Sequence, residues 1–408
     1  MAEFMPVLLG ADMNCYSLAR AFHEAYGVVS YSFGRWAMGE TKYSRIVRFR
    51  AVENFDTDEV MLATLRAFAK EHPGVKKLAL GCTDDYAALL IRNKAALQRD
   101  YVVPYIDDSL AQKLVSKEDF YRYCEEMDIP YPATVILRKE SDRDALETLP
   151  FHWPVILKPS SSILYWKHPF ENMKKVYVAH SAQEAGQIAD TIFAAGYPDS
   201  LIVQDMIPGA DDHMRVLTAY CDRSAHVKMV CLGNVLLEEH TPKAVGNHAA
   251  ILTEYNRPLM DKLASFLEKI GYTGFANFDI KFDDRDGQYK VFEINLRQGR
   301  SNYYVTGAGL NVARYVVEDA VQERDLGEPL FFEGESYWHS IPNQIVWEYT
   351  GDVGLVNKAK ELVRAGREST ALDYDYDLRL NPLRRFYLWE HYRRYSQKYA
   401  TYCEKPVR

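Results

Sequence analysis

The stretch Gly274–Gly299, GFANFDIKFDDRDGQYKVFEINLRQG, decides how the rest of the chain is read. Apolar and polar residues alternate on both sides of Arg285-Asp286-Gly287, which predicts two strands joined by a three-residue turn with Gly287 at the left-handed position. That register sets Asp279 opposite Glu293 and Asn277 opposite Asn295 on one face, and pairs Phe278 with Ile294 and Ile280 with Phe292 on the other. The second face is a core surface. The first places two carboxylates directly across a ladder, which destabilises a sheet by up to about 1 kcal/mol unless a cation lies between them. Hard oxygen donors point to Mg2+ or Mn2+, ions commonly shared with nucleotide phosphates. Arg297 follows Asn295 on the same face by strand alternation, with Arg300 close behind. Cations beside a carboxylate cluster suit a phosphoryl group in transfer.

A chain of 408 residues, 48% hydrophobic and 26% charged, is an ordinary globular protein with room for two to four structural units. Its formal charge of −8 and pI near 5.8 argue against a broad polyanion-binding surface, so nucleic acid is not expected as a partner. Cys15, Cys82, Cys124, Cys221, Cys231 and Cys403 are scattered without a CxxC pair and read as free thiols of a reducing compartment. The N-terminal apolar run is interrupted by Asp12 and lacks a basic flank, so it does not read as a signal peptide. No run approaches the roughly 20 apolar residues of a membrane span. The expected location is the cytoplasm.

Met5–Leu9, a helix over Asn14–Tyr26, and further strands at Val28–Phe33 and Lys77–Gly81 imply a doubly wound parallel sheet. The loop GADMN after the first strand lacks a GxGxxG fingerprint; it either helps position a substrate at the strands' carboxyl ends or has no ligand. Ser116 caps a helix over Lys117–Met127 that Pro130 and Pro132 close. WPVILKPSSS reads as an apolar strand ending in Lys158 and running into Ser160, Ser161 and Ser162. A lysine there meets phosphates as a point charge, and the backbone and hydroxyls of a small-residue loop can close over them. LIVQDMIPG, Leu201–Gly209, is a strand entering a Pro-Gly turn. Arg215–Cys221 and Ala225–Cys231 read as paired strands, and LEEHTPKAVGNHA after them as an irregular loop offering Glu239, His240, Lys243 and His248 to a substrate. With Arg215, the last three complete a substrate-contact set. Zinc is not expected, because the histidines lack metal spacing. Near the end, Phe386, Trp389, Tyr392, Tyr395, Tyr399 and Tyr402 recur every three or four residues, one helical stripe that packs on its own protein or docks on a partner or anionic surface.

FANFDIKF followed by FEINLRQGRS resembles the metal-binding core of the ATP-grasp superfamily of carboxylate-amine ligases, whose signature is an acidic residue on one strand, then Glu-x-Asn and an Arg on the next. The resemblance implies that Asp279, Glu293 and Asn295 hold the metals and that Arg297, aided by Arg300, steadies the transferred phosphate. It also implies Lys113 as the first phosphate-binding lysine, with Lys117 competing, Lys158 as the second, and Ser160–Ser162 as a phosphate lid. Gln204, Asp205 and Ile207 would hold adenine and Asp212 the ribose. Asp128 stands where the family has glycine. The implied fold is α/β: a pre-ATP-grasp domain over 1–104, an ATP-grasp domain over 105–330 split near 203 into lid and metal-binding parts, and a partly helical extension over 331–408.

The implied activity is ADP-forming amide synthesis through an acyl phosphate, with ATP and Mg2+ or Mn2+. Chain length and aromatic tail resemble the D-aspartate ligase type, which implies an amino acid and an amine acceptor on a murein-precursor nucleotide. An L-amino-acid or dipeptide ligase, a biotin-dependent carboxylase and a regulatory nucleotide-binding protein remain as alternatives. The oligomeric state is open between monomer and homodimer.

Overall fold

In the first hundred residues strand and helix alternate, as the apolar runs require. β1 (Phe4–Leu9), β2 (Ser30–Gly34), β3 (Val47–Ala51), β4 (Lys76–Gly81) and β5 (Tyr101–Val102) form a parallel sheet in the order β3-β2-β1-β4-β5. The computed structural model describes residues 4–138, 140–241 and 244–406, so Lys243 lies outside the described residues, as does the side chain of Ser162. The helix Met13–Tyr26 begins where the Asp12 carboxylate accepts the Cys15 N–H at 3.1 Å and ends at Gly27, φ 66°. Strand order reverses between β1 and β4, so the loops after these strands meet at the sheet's carboxyl edge, the usual place for a ligand in such folds.

A smaller antiparallel sheet, β6 (Thr134–Leu137), β7 (Val155–Pro159), β8 (Tyr177–Ala179) and β9 (Leu201–Asp205), runs in the order β6-β9-β7-β8 and has its own core around Leu157, Tyr165, Ile192 and Val203. The helix before it, Lys117–Glu126, is capped by Ser116 as expected. Asp128 sits at φ 53°, so the left-handed turn that glycine would make is kept with an aspartate, a residue that tolerates it.

The large sheet carries β10 (Met214–Cys221), β11 (Val227–Glu239), β12 (Asn247–Glu254), β13 (Gly274–Asp283) and β14 (Gln288–Asn295) in the order β14-β13-β10-β11-β12. A short β15 (Leu330–Phe331) pairs with β11. Leu8 of the parallel sheet and Phe22 of the helix Met13–Tyr26 share one apolar cluster with Phe278 and Ile294, so the two large units have a common core.

The expected Ile280–Phe292 pair is not formed: Ile280 faces Val291, and a bulge lies between this pair and Asp279–Glu293. The turn is also one residue longer than expected, spanning 284–287, because the fully buried Asp283 carboxylate organises it. That carboxylate accepts from Arg285 Nη2 at 2.7 Å and Lys290 Nζ at 2.6 Å. The extra turn residue shifts register by one and the bulge shifts it back, so Asp279 still faces Glu293.

The last 78 or so residues do not stand apart, because β16 (Tyr337–His339) pairs with β12 and β17 (Glu368–Thr370) with β16, widening the large sheet. The expected loop after β11 is shorter than read, since Glu239 ends one strand and His248 lies in the next. The C-terminal helix Pro382–Tyr402 buries Arg384, Leu388, Tyr395 and Tyr399, whereas Phe386 and Trp389 are 67% and 60% exposed. The expected single stripe therefore splits: at roughly 100° per residue, Phe386 and Trp389 turn to the side away from Arg384. Arg384 pins the helix to the first unit by donating to the Lys42 carbonyl at 3.0 Å and lying 4.3 Å over the Tyr16 ring. Among the described residues no helix is long and apolar enough to cross a membrane.

Candidate active site

The face of β13 and β14 away from the shared core carries Asp279 opposite Glu293 and Asn277 opposite Asn295. Asn295 Nδ2 donates to Asp279 Oδ2 at 3.0 Å, while Asn277 is buried and donates to Thr218 Oγ1 at 3.1 Å. Gly299 packs against Asn277 so closely that a Cβ there would come within 2.8 Å of its amide, which holds the backbone leading to Arg300 against the sheet. Burial, then the charge of Glu293, pushes the Asp279 carboxyl well above the usual carboxylate range. Glu293 moves the other way, because Lys117 Nζ lies 2.6 Å from its Oε2 and outweighs burial. Two carboxylates so close divide into a proton-holding and a charged member, and both would be charged only with a cation between them.

Four cations surround that face. Lys117 comes from the start of its helix and Lys158 from the end of β7, half-buried, with its Nζ 5.6 Å from the Phe292 ring that the bulge places there. Burial first, then Lys117, brings the Lys158 ammonium down to about 8. Lys175, from the loop before β8, acts on Asp279, Glu293 and Lys158 through its charge. Arg297 makes a two-point pair with Asp84, Nε–Oδ1 2.9 Å and Nη2–Oδ2 3.0 Å, fastening the end of β14 to the helix after β4. Paired carboxylates facing convergent cations can hold a divalent ion and a triphosphate together.

No family model matches the chain. A D-aspartate ligase of Enterococcus faecium (strain Aus0004) is 42% identical over 384 residues, 92% of this chain and 91% of that protein. The chain belongs to the D-aspartate ligase family. It is an ATP-dependent ligase, and the fold around its site is the ATP-grasp fold. The L-amino acid ligase of Bacillus licheniformis superposes with TM-score 0.56 at 12% identity, covering 78% of this chain and 74% of that one. The biotin carboxylase domain of the Hydrogenobacter thermophilus 2-oxoglutarate carboxylase, solved with MgADP, gives 0.60 at 14% identity over 83% of this chain and 74% of that one.

In this D-aspartate ligase relative the lysine that reaches the Asp279–Glu293 face is Lys117, the competing choice to Lys113. Lys113 is exposed on the helix Asp108–Val115, one helix earlier, whereas Lys117 is the lysine paired with Glu293. Gln204 is buried and donates to Tyr121 Oη at 2.8 Å and Thr134 Oγ1 at 2.9 Å, so its amide is already engaged. Asp205 is held by Arg285 at 2.5 Å, and backbone pairing of β9 stops there, leaving the peptide groups around Ile207 outside the sheet. Asp212 accepts from or shares a proton with His213 Nδ1 at 2.7 Å. In the loop after β7, Ser160 Oγ donates to the Ser200 carbonyl at 2.8 Å, the Ser161 N–H donates to Tyr197 Oη at 3.0 Å, and Ser161 Oγ accepts from the Leu164 N–H at 3.3 Å.

Three of the expected substrate contacts have other work. Arg215 pairs with Glu254 at 2.5 Å, and His240 Nε2 lies 2.8 Å from Asp211. His248 is buried 3.6 Å from Glu238, a distance that suggests an ion pair. Burial, however, drives the histidine down to about 4 and the glutamate up to about 7, so near neutrality the imidazole is uncharged and the two do not form an ion pair. Arg300 pairs with Glu239 at 3.0 Å instead of standing free. Sequence reading missed Asp84, Tyr121 and Lys175. Asp84 could have been found at the carboxyl end of a strand, where such folds bind ligands; nothing in the local sequence marks Lys175.

Proposed function

We propose that the chain activates the carboxylate of D-aspartate, or a similar amino acid, with ATP and joins it to an amine on a cell-wall peptide precursor. The observation that carries this is the Asp279–Glu293 pair ringed by Lys117, Lys158 and Arg297, in a chain 42% identical to a D-aspartate ligase. Asp279, Glu293 and Asn295 fit Mg2+. Among the described residues no group of three His, Cys, Asp or Glu is placed to hold a metal ion by itself, and two carboxylates with an amide suit an ion that keeps water and phosphate oxygens as its other ligands. When bound, the ion supplies charge neutralisation at the phosphates.

Lys117 and Lys158 hold the phosphate oxygens as point charges, and the hinge peptides near Ile207 receive the base. The amino-acid carboxylate attacks the γ-phosphorus in line. The P–O bond to ADP breaks, and Arg297 faces the charge that develops on the transferred group. Phosphorylation removes the negative charge that repels an amine and replaces oxide with phosphate as leaving group. The ammonium of the co-substrate loses one proton to solvent and its lone pair attacks the acyl carbon; phosphate then departs with the C–O bond's electrons and takes up the second N–H proton, leaving the amide. These reactants and the six free cysteines fit the cytoplasm.

The test is ADP release across D- and L-amino acids, with and without a murein-precursor nucleotide, and with hydroxylamine as a trap. D-aspartate is expected to give hydroxamate with hydroxylamine and amide with the precursor. Activity only with L-amino acids, or hydroxamate from neutral amino acids as readily as from D-aspartate, refutes the proposal.

A further inference from the structure

A cavity of about 390 Å3 opens where the first unit, the large sheet and the C-terminal helix meet, and Glu40, Glu239, Arg300, His391, Arg394 and Lys398 line it. Its inner end adjoins the phosphate site, since Arg300 follows Arg297 by three residues and both act on Asp12. There Arg300 and Glu239 neutralise one another at 3.0 Å, and Tyr395 Oη donates to the same Glu239 oxygen at 3.1 Å. Glu40 is the charge left over. Among the described residues no side chain pairs with its carboxylate, although its backbone carbonyl is fixed by Arg384. Burial raises its pKa, and the charge of Arg300, which is already paired with Glu239, offsets this only in part. Neighbouring His391 does not supply one, because burial pushes it down to about 4.

The mouth has the opposite sign. Arg394 is 67% exposed and shares Glu390 with Arg393, and Lys398 is exposed over the Tyr395 ring at 4.5 Å without a carboxylate partner among the described residues. The volume falls in the range of about 300–1,000 Å3 typical of small-molecule pockets. An unpaired carboxylate inside and, outside, the unpaired Lys398 beside two arginines that share the single carboxylate of Glu390 match a ligand with an ammonium at its tip and an anionic group on its carrier. A free amino acid awaiting phosphorylation has its carboxylate at the tip, the reverse order.

We propose that this cavity receives the amine co-substrate as an amine on an anionic peptide, with Glu40 holding the ammonium, Lys398 and Arg394 meeting the carrier's negative charge, and the C-terminal helix forming its outer wall. The inference rests on the ligase reading above and adds the site of the second substrate and the residues that meet its charges. The experiment uses the full chain with ATP, D-aspartate and a lysine peptide bearing two further carboxylates, against the same peptide with both amidated. Lys398→Glu, at an exposed position that leaves folding intact, is expected to raise the KM of the anionic peptide about tenfold and that of its neutral twin less than twofold. Glu40→Gln, which keeps the side chain's shape, is expected to raise both peptide KM values at least fivefold with the D-aspartate KM within twofold. Unmoved peptide KM values, or a rise in the D-aspartate KM instead, overturn the inference. Hydroxamate formation by wild-type protein separates the two levels: its absence with every amino acid refutes the ligase reading itself.

Discussion

Replacing Lys117 by methionine removes the ammonium that lies 2.6 Å from Glu293 while keeping most of the side chain's length. With charge centres about 4 Å apart and an effective dielectric near 20, the gross attraction is about 4 kcal/mol. Lys117 is 11% exposed and Glu293 36%, so solvent on the glutamate side and the lysine's own desolvation reduce the net stability loss to about 1 kcal/mol. The cost to nucleotide use is larger. A charge-assisted hydrogen bond to phosphate is worth about 1.5–3 kcal/mol, so kcat/KM for ATP should fall roughly 10- to 150-fold, with the KM of D-aspartate far less affected. Lys113→Met is the matched control: its side chain is exposed on the preceding helix, and kcat/KM should stay within about twofold. ADP release against ATP concentration for the two variants decides the matter. An equal loss in both, or a loss confined to Lys113→Met, refutes the assignment of Lys117 to the phosphates.

ATP affinity should fall as pH rises through about 8, where Lys158 loses its proton, by roughly tenfold at one unit above that value; in Lys158→Arg, followed by calorimetric titration, the decline should vanish. The same group has a stability sign: its folded pKa lies below the unfolded value, so the penalty of burying its charge is present below about 8 and is relieved between there and the ordinary lysine value, a window that thermal melts should show. Glu293→Gln and Asp279→Asn should each lower turnover more than tenfold, at least about 1.4 kcal/mol, with near-wild-type melting; full turnover in the presence of a chelator contradicts a metal role. Because Asp279 holds a proton in a site without metal, added Mg2+ should raise the melting temperature more at pH 8 than at pH 6, and equal shifts would remove Asp279 from the metal site.

Much of the site was legible because β-structure has a period of two, which fixes what faces what once a turn is placed. Asp279, Glu293 and Asn295 therefore came out together although the turn was one residue short and the bulge at Phe292 was unseen, two errors that cancel. Lys158 was legible for a similar reason, being the polar end of the apolar strand Val155–Pro159. The choice between Lys113 and Lys117 was not, because both lie in amphipathic helical sequence and only tertiary placement separates them. The partners of Ser160 Oγ and the Ser161 N–H, Ser200 and Tyr197, lie 36 to 40 residues on in the chain and were not legible. Nor were those of Gln204, since Tyr121 and Thr134 are distant in sequence.

The tail shows where periodicity stops being enough. Aromatic residues at every third or fourth position predict a buried stripe, but a charged residue can belong to the buried face when its charge finds partners there. Arg384 does: it is fully buried, with Nη1 donating to backbone carbonyls, the guanidinium over the Tyr16 ring and Nε 3.5 Å from Asp377, although Nε and Nη2 make no hydrogen bond. Fixing Arg384 fixes the rotation of the whole helix, and that rotation turns Tyr395 toward Glu239 and Lys398 toward the cavity mouth. A segment that reads as a separate appendage thereby supplies one wall beside Arg300. Its anchoring residue was hidden because hydrophobic periodicity assigns arginine to the solvent.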